Sequence, residues 1–370
     1  MHPIRFIHAA DLHLDAAFSG LSRDIPAEFA ERLRTATFTA FRRLLDLCER
    51  ESPDFLLLAG DVYNQEDASV SAQLALRDGF RRLESLSIPV FLVHGNHDPL
   101  ASRLRSVRWP GNVTVFGELP DAVPVFRKGE ETPLAIIHGA SHASGRETRN
   151  LAALFRRTEA CGLHVGLLHA TPGDADGVAR YAPFSQEDLK ASGMDYWALG
   201  HIHDRREVCR EPLAAYPGCT QGLHINEPGE KGCLLVTAEA RPDGGYAVRT
   251  SFRPLGPAVW KTLDMDLGGA ASLDELENRL RTGLDRAAAE VWSGCEMLLV
   301  RLRLQGRTEL DGLLRKGTTC AELADRLRED GSGVPRIWIK DIDVATRPCV
   351  ERGALLERED LLGEVFRLSE

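Results

Sequence analysis

The sequence predicts an α/β fold with a large first domain and a smaller α/β domain behind it. Short apolar runs of strand length alternate with stretches whose apolar residues recur at helical spacing. At 370 residues the chain is long enough for two domains. The segment RPLGPA (253–258), with two prolines and a glycine, marks a change of pattern and is the expected linker.

The first strand is expected at 4–10 (IRFIHAA). Pro26 then opens a helix through PAEFAERLRTATFTAFRRLLDLCERE, where Phe29, Leu33, Phe38, Phe41 and Leu45 form an apolar stripe. DFLLLA (54–59) and PVFLVH (89–94) read as strands with a helix over 69–86 between them. LAIIH (134–138), HVGLLH (164–169) and YWAL (196–199) continue the strands, and a helix is expected over 149–160. AAYPG, GCLLVTAE and YAVRTSFRPL are further strands. The near-continuous apolar character of these runs implies sheets covered on both faces. Beyond the linker come an alternating run VWKTLDMDL, a helix around 272–291, a strand EMLLVRLRLQG, a helix around 319–329 and a strand RIWIKDIDV. The expected boundaries are therefore 1–255, 256–345 and a tail over 346–370 that ends in an amphipathic stretch, REDLLGEVFRLSE.

With 43% hydrophobic and 27% charged residues, the composition is that of an ordinary globular protein. No run approaches the ~20 apolar residues of a membrane span. The opening MHPIRFIHAADLHL enters a strand-like run with a charge inside it and does not read as a signal peptide. The eight cysteines include no C-x-x-C pair, which argues against a zinc ribbon or redox dithiol and for a cytoplasmic chain. A net charge of −10 is awkward for nucleic-acid binding, which draws on neutralised phosphates. Local basic clusters, bound metal or a partner subunit would have to compensate.

Strand ends carry the chemistry. Asp11 and His13 follow the first strand, Asp61 the second, and Asn96, His97 and Asp98 the third. His169 ends a later strand, and His201 and His203 follow another. The i, i+2 spacing of Asp11/His13 and His201/His203 would point each pair to one face of an extended segment. Aspartate, asparagine and histidine without thiolate suit Mn²⁺, Fe or Zn²⁺ better than Ca²⁺ or a structural zinc. Asp11, His13, Asp61, Asn96, His169, His201 and His203 are too many donors for one ion, but enough for two if a carboxylate bridges them. Asp61, alone at its strand end, is the natural bridge. Two such ions ~4 Å apart would hold a phosphoryl group and lower the pKa of a bound water until it attacks as hydroxide. His97 is then left over, able to donate to phosphate oxygens or to protonate a leaving oxygen. A single Asp or His at a strand end is commonly a turn residue, but turn chemistry does not produce this whole ordered set.

The order D-x-H, G-D, G-N-H-D, H, G-H-x-H resembles the calcineurin-like metallophosphoesterase superfamily over residues 4–250. Within it, the phrases IHAADLHLD and YPGCTQGLHINEPGEKG are similar to the double-strand-break-repair nuclease branch (SbcD-like), and most to the YhaO-like exonucleases. The resemblance implies a four-layer α/β sandwich, two packed mixed sheets flanked by helices, with a small capping domain. It implies that Asp11, His13, Asp61 and His203 hold one metal, that Asp61, Asn96, His169 and His201 hold the other, and that His97 is the catalytic non-ligand. It further implies manganese, and cleavage of DNA from 3′ ends or within single strands. The implied partners are DNA and a coiled-coil SMC-type ATPase (YhaN- or SbcC-like), with a homodimer also admitted. The ATPase would dock on the face formed by Leu355, Leu361, Leu362, Val365 and Phe366. One departure stands out: many members of the branch have a histidine three residues after the G-D aspartate, where this chain has Asn64.

Two other functions fit the residues: a phosphoesterase for a nucleotide or other small phosphodiester, which the acidic charge favours slightly, and a non-catalytic ATPase scaffold, which has no need for His97. His8, His94 and His138 are expected to be hydrogen-bonded core residues, and His142 and His224 to lie in loops. Arg103, Arg105, Arg108, Arg205 and Arg206 flank the inferred site and could neutralise phosphates.

Overall fold

Strand side chains alternate between two faces, and in the first three long strands both faces are apolar. Ile7, Leu56, Leu58, Val90 and Leu92 pack with Phe41, Leu44, Leu76 and Phe80 from helices. Their neighbours Phe6, Phe55, Leu57, Phe91 and Val93 pack instead with Ile137, Val165, Leu167, Tyr196 and Ala198 of other strands. One face therefore carries helices and the other meets a second sheet. The computed structural model describes residues 2–21, 25–64, 69–102, 107–174, 179–242, 244–329, 333–349 and Glu364.

In chain order the elements are β1 (Ile4–Ala9), α1 (Ala27–Arg34), α2 (Ala36–Glu51), β2 (Phe55–Ala59), α3 (Val70–Ser85), β3 (Val90–Val93), β4 (Val113–Val115), β5 (Asp121–Val125), β6 (Ala135–Ala140) and β7 (Leu163–His169). Then come α4 (Gln186–Ala191), β8 (Tyr196–Gly200), β9 (Arg206–Arg210), β10 (Leu213–Tyr216), β11 (Gly232–Ala240) and β12 (Tyr246–Pro254). The first sheet runs β12-β11-β1-β2-β3-β4 and the second β5-β6-β7-β8-β10-β9. Each is mixed. The central β1, β2 and β3 are parallel, with β11 antiparallel on β1. In the second sheet β6, β7, β8 and β10 are parallel, with antiparallel β5 and β9 at the edges. The outer face of the second sheet is covered by Leu151, Phe155, Phe184 and Leu189 against Leu168, Trp197 and Leu199. Two mixed sheets flanked by helices is the expected architecture.

Two helix expectations need correction. The helix after Pro26 is two helices broken at Thr35, whose hydroxyl bonds back to the carbonyls of Glu31 (3.1 Å) and Arg32 (3.3 Å), a bonding mode that loosens a helix. The stretch 149–160 forms only one 3-10 turn, Ala152–Leu154. Arg156 Nη1 donates to the carbonyls of Ala153 (2.8 Å) and Phe155 (2.7 Å), bonds local to a turn.

The chain divides into two compact units between Val259 and Trp260. The segment 253–258 is not a free tether: Leu255 is buried, and the Leu255 and Gly256 amides donate to Lys231 O at 2.9 and 3.1 Å. In the second unit, β13 (Ala258–Asp266), β14 (Met297–Gln305) and β16 (Arg336–Val344) form a three-stranded sheet, β14 and β16 parallel. Helix α5 (Leu273–Glu290) follows β13, and α6 (Asp311–Leu314) and α7 (Gly317–Glu329) precede β16; among the described residues there is also a two-residue pair, β15 (Arg307–Thr308) and β17 (Arg347–Pro348). Among the described residues, no helix is long and apolar enough to cross a membrane. The apolar face expected over 355–370 lies outside the described residues, apart from helical, exposed Glu364.

Candidate metal centre

The parallel strands deliver their donors from their C-terminal ends. Asp11 and His13 follow β1, Asp61 follows β2, and Asn96 and His97 follow β3; His169 is the last residue of β7, and His201 and His203 follow β8. The loop after β1 runs beside the loop after β2, with Asp11 N donating to Gly60 O, His13 N to Asp61 O (both 3.1 Å) and Leu14 N to Val62 O (3.0 Å). Asp98 ties in the third loop: its carboxylate accepts from Val62 N at 3.0 Å and from Gly95 N at 2.8 Å.

The backbone is tightly wound here. Asp11 (φ 51°), His13 (41°), Asp61 (50°) and His201 (103°) all adopt positive φ, a region costly for residues with a Cβ and concentrated at functional sites. This corrects the extended-segment argument: neither i, i+2 pair is extended. Asp11 and His13 still reach one cluster, but His201 and His203 go to different ones.

Two groups result. Donor atoms of Asp11, His13 and His203 lie within 4.8 Å of one another, as do those of Asp61, His169 and His201. In the first, His13 Nε2 is 3.1 Å from His203 Nε2, which is 3.9 Å from Asp11 Oδ1. In the second, His169 Nε2 is 3.4 Å from Asp61 Oδ2 and 3.1 Å from Asn96 Oδ1. Asp61 Oδ2 is also 4.0 Å from His13 Nε2, so this carboxylate stands between the groups. His97 lies alongside, its ring centroid 5.1 Å from that of His13, with its amide donating to Asp61 Oδ1 (3.0 Å) and its Nδ1 2.8 Å from Asn64 O.

The calcineurin-like phosphoesterase family matches residues 4–205, and the middle domain of metallophosphoesterase YhaO matches residues 260–347. The chain belongs to the calcineurin-like phosphoesterase family. It is 36% identical over 348 residues to the Bacillus subtilis protein named uncharacterized metallophosphoesterase YhaO, covering 93% of this chain and 82% of that one. It is 26% identical over 315 residues to the DNA double-strand break repair protein Mre11 of Aeropyrum pernix, covering 78% and 69%. A solved dimetal phosphatase from Danio rerio aligns at 14% identity with a TM-score of 0.37, covering 67% of this chain and 99% of that one. Members of this metallophosphoesterase family hydrolyse phosphoester bonds at a dinuclear metal centre.

The residues fit such a centre on their own chemistry. Asp11, His13, Asp61 and His169 are all at most 3% exposed. Buried carboxylates need a counter-charge. Burial lifts the Asp11 carboxyl to about 6, against the pull of the His169 and His203 rings. Burial works the same way on Asp61, but the His169 ring outweighs it and holds this carboxyl well below the usual range. Burial disfavours the His169 cation, yet Asp61 and Asp11 push that ring up to about 9. Burial drives His13 down to about 4 and His201 down to about 3. The cluster thus supplies neutral imidazoles and ionised oxygen beside two rings, His169 and His203, whose hold on a proton burial weakens but the neighbouring carboxylates strengthen. Metal binding to such a set displaces protons. The two Nε2 atoms of His13 and His203 facing each other at 3.1 Å make the same point, since two lone pairs repel unless a proton or cation separates them. His13 Nδ1 is buried without a hydrogen-bond partner among the described residues.

The other histidines and arginines singled out in the sequence are engaged in contacts of their own. His8 bonds Tyr196 Oη at 2.9 Å and Leu199 O at 3.2 Å, and His138 bonds His164 at 3.0 Å. His94 Nδ1 lies 3.4 Å from Asp98 Oδ2. His142 is in a loop but fully buried, with Nε2 2.6 Å from His169 O. His224 Nδ1 accepts from Asn226 N (3.1 Å), closing its own turn. Arg205 stacks on Phe252 and Arg206 lies over Tyr216; Arg103 and Arg105 lie outside the described residues. Sequence reasoning missed Glu227, whose Oε1 is 2.6 Å from His203 Nδ1. Its only signal was a carboxylate inside the glycine-rich phrase INEPGEKG.

Proposed function

We propose that the chain is a Mn²⁺-dependent DNA nuclease, cleaving phosphodiesters as a 3′–5′ exonuclease, a single-strand endonuclease or both, in DNA repair and in the cytoplasm. The observation that carries this reading is the convergence of seven oxygen and nitrogen donors with one further imidazole, His97, standing outside them. The relatives named as DNA double-strand break repair proteins support DNA as the substrate class. Asp11, His13, Asp61 and His203 would hold one ion and Asp61, Asn96, His169 and His201 the other. Bound there, the ions supply Lewis acidity and a nucleophile drawn from water at neutral pH.

The chain's own residues do the rest. The Asn64 carbonyl can only accept, so it fixes the His97 proton on Nδ1 and leaves Nε2 as the nitrogen available to substrate. Through Nε2 the imidazole can serve a phosphate oxygen or the leaving oxygen. Asn64, where many relatives of the branch have histidine, thus serves through its main chain. The second unit, expected as a capping domain over 256–345, is assigned the shaping of substrate access. The tail 346–370 is assigned docking to an SMC-type ATPase.

Purified protein with Mn²⁺ and end-labelled double- and single-stranded DNA tests the activity, with nucleotides and bis-p-nitrophenyl phosphate alongside. Cleavage that stops with chelator and returns with Mn²⁺ is expected. Hydrolysis of the small diesters with DNA untouched would move the substrate to a small molecule. Deleting 355–370 is expected to end co-purification with the ATPase while small-diester hydrolysis persists; an intact complex would refute that docking segment.

A further inference from the structure

His203 is gripped at several points. Its carbonyl accepts from Cys219 N at 3.2 Å and from Lys231 Nζ at 3.1 Å, and its ring Nδ1 lies 2.6 Å from Glu227 Oε1. The other Glu227 oxygen, Oε2, accepts from Leu223 N at 2.7 Å. Two donors from different segments thus hold one carboxylate by both oxygens. An ionised carboxylate only accepts, so the proton in the bond to His203 belongs to Nδ1. That leaves Nε2 as the nitrogen facing the other candidate donors, 3.1 Å from His13 Nε2 and 3.9 Å from Asp11 Oδ1.

We propose that Glu227 is the positioning residue for His203, fixing its tautomer and ring orientation so that Nε2 is presented to one of the two ions. This rests on the metal reading of the site above. The second group of donors is built differently: there His169 Nδ1 is held by a main-chain carbonyl, Ala59 O, at 2.9 Å. A carboxylate behind an imidazole raises its basicity as a ligand, and loss of such a partner costs ~10–100-fold in metal affinity. The two ions therefore respond unequally to one substitution in the 223–227 turn. Glu227 also lies within 4.8 Å of His203 and Cys219 donors, an arrangement open to a third ion. That alternative loses because both Glu227 oxygens are already engaged and His203 Nδ1 carries the proton of the bond.

Glu227→Gln tests this, because one amide oxygen cannot serve both donors without turning an NH₂ toward the other. Mn²⁺ binding is measured by equilibrium dialysis with metal analysis, and half-saturating Mn²⁺ is measured for hydrolysis of bis-p-nitrophenyl phosphate. The wild type should bind two ions. The variant should bind one as the wild type does and the other 10–100-fold more weakly. Half-saturating Mn²⁺ should rise by the same factor, and turnover should return at saturating Mn²⁺, which a merely structural defect would not allow. Wild-type affinity at both ions, equal weakening of both, or activity that excess Mn²⁺ fails to restore would overturn the assignment. Fewer than two ions in the wild type would instead overturn the metal reading beneath it. If the Gln variant does not fold, Glu227→Asp, which keeps the charge and shortens the reach, is held to the same outcomes.

Discussion

Gly95 offers the sharpest mutational test of the site. A Cβ at this position would lie 2.2 Å from Asp61 Oδ1 and 2.8 Å from both Cδ2 and Nε2 of His169. Ordinary contact starts at 3.4 Å, so Gly95→Ala must drive the Asp61 carboxylate back by ~1.2 Å or move the loop. A metal site tolerates ~0.2 Å of error in its ligand distances. A displacement several times larger at the residue standing between both groups is expected to weaken both ions at least ~100-fold. Overpacking should lower stability by a further ~1–3 kcal/mol. Gly117, where a Cβ would meet nothing within 4 Å, is the control, and Gly117→Ala should change neither quantity. Metal analysis after dialysis against Mn²⁺ reads the first effect, and chemical denaturation of the metal-free proteins reads the second. Two ions bound by Gly95→Ala at wild-type affinity would refute both the placement of Asp61 between the groups and the crowding argument.

Asp61→Ala should lose both ions, and a metal content unchanged by that substitution would remove the bridge. His97→Ala should keep both ions and lose about 10²–10⁴-fold in diester hydrolysis; near wild-type turnover would show that its imidazole has no part in the chemistry. Stability should fall with acid through His8, which burial pushes down to about 3, against the opposing Leu199 hydrogen bond. The unfolded chain takes up this proton below ~6.5 and the folded chain does not, so the contribution is intact above that pH and drains at up to ~1.4 kcal/mol per unit as pH falls toward 3. Denaturation midpoints of wild type and His8→Phe between pH 7 and 4.5 should show a shallower slope in the variant, and parallel slopes would contradict it.

The strands legible in the sequence are those buried on both faces. Phe55–Ala59 and Val90–Val93 are buried throughout and read as apolar runs. The edge strands Asp121–Val125 and Arg206–Arg210 escaped notice because one side of each meets water and their composition shows it. Over 149–160, Leu151, Ala152 and Phe155 are buried at a spacing a helix would also give, but a single turn suffices to bury them. The candidate donors stood out in the sequence because their types are rare at strand ends in such number. Their conformation did not: four of them adopt positive φ, a tertiary constraint that spacing does not encode. Glu227 was illegible because its role depends on a ring 24 positions away.

The donors come from both sheets, and from residues as distant as Asp11 and His203. No single hairpin or βαβ unit holds a complete set, so the candidate donors come together only when the sheets dock. An ion present early in refolding meets scattered side chains. Metal should therefore leave the refolding rate almost unchanged and act on the reverse step, slowing unfolding in proportion to its occupancy. The ions that would arm the enzyme would then also set how long, once folded, it stays so.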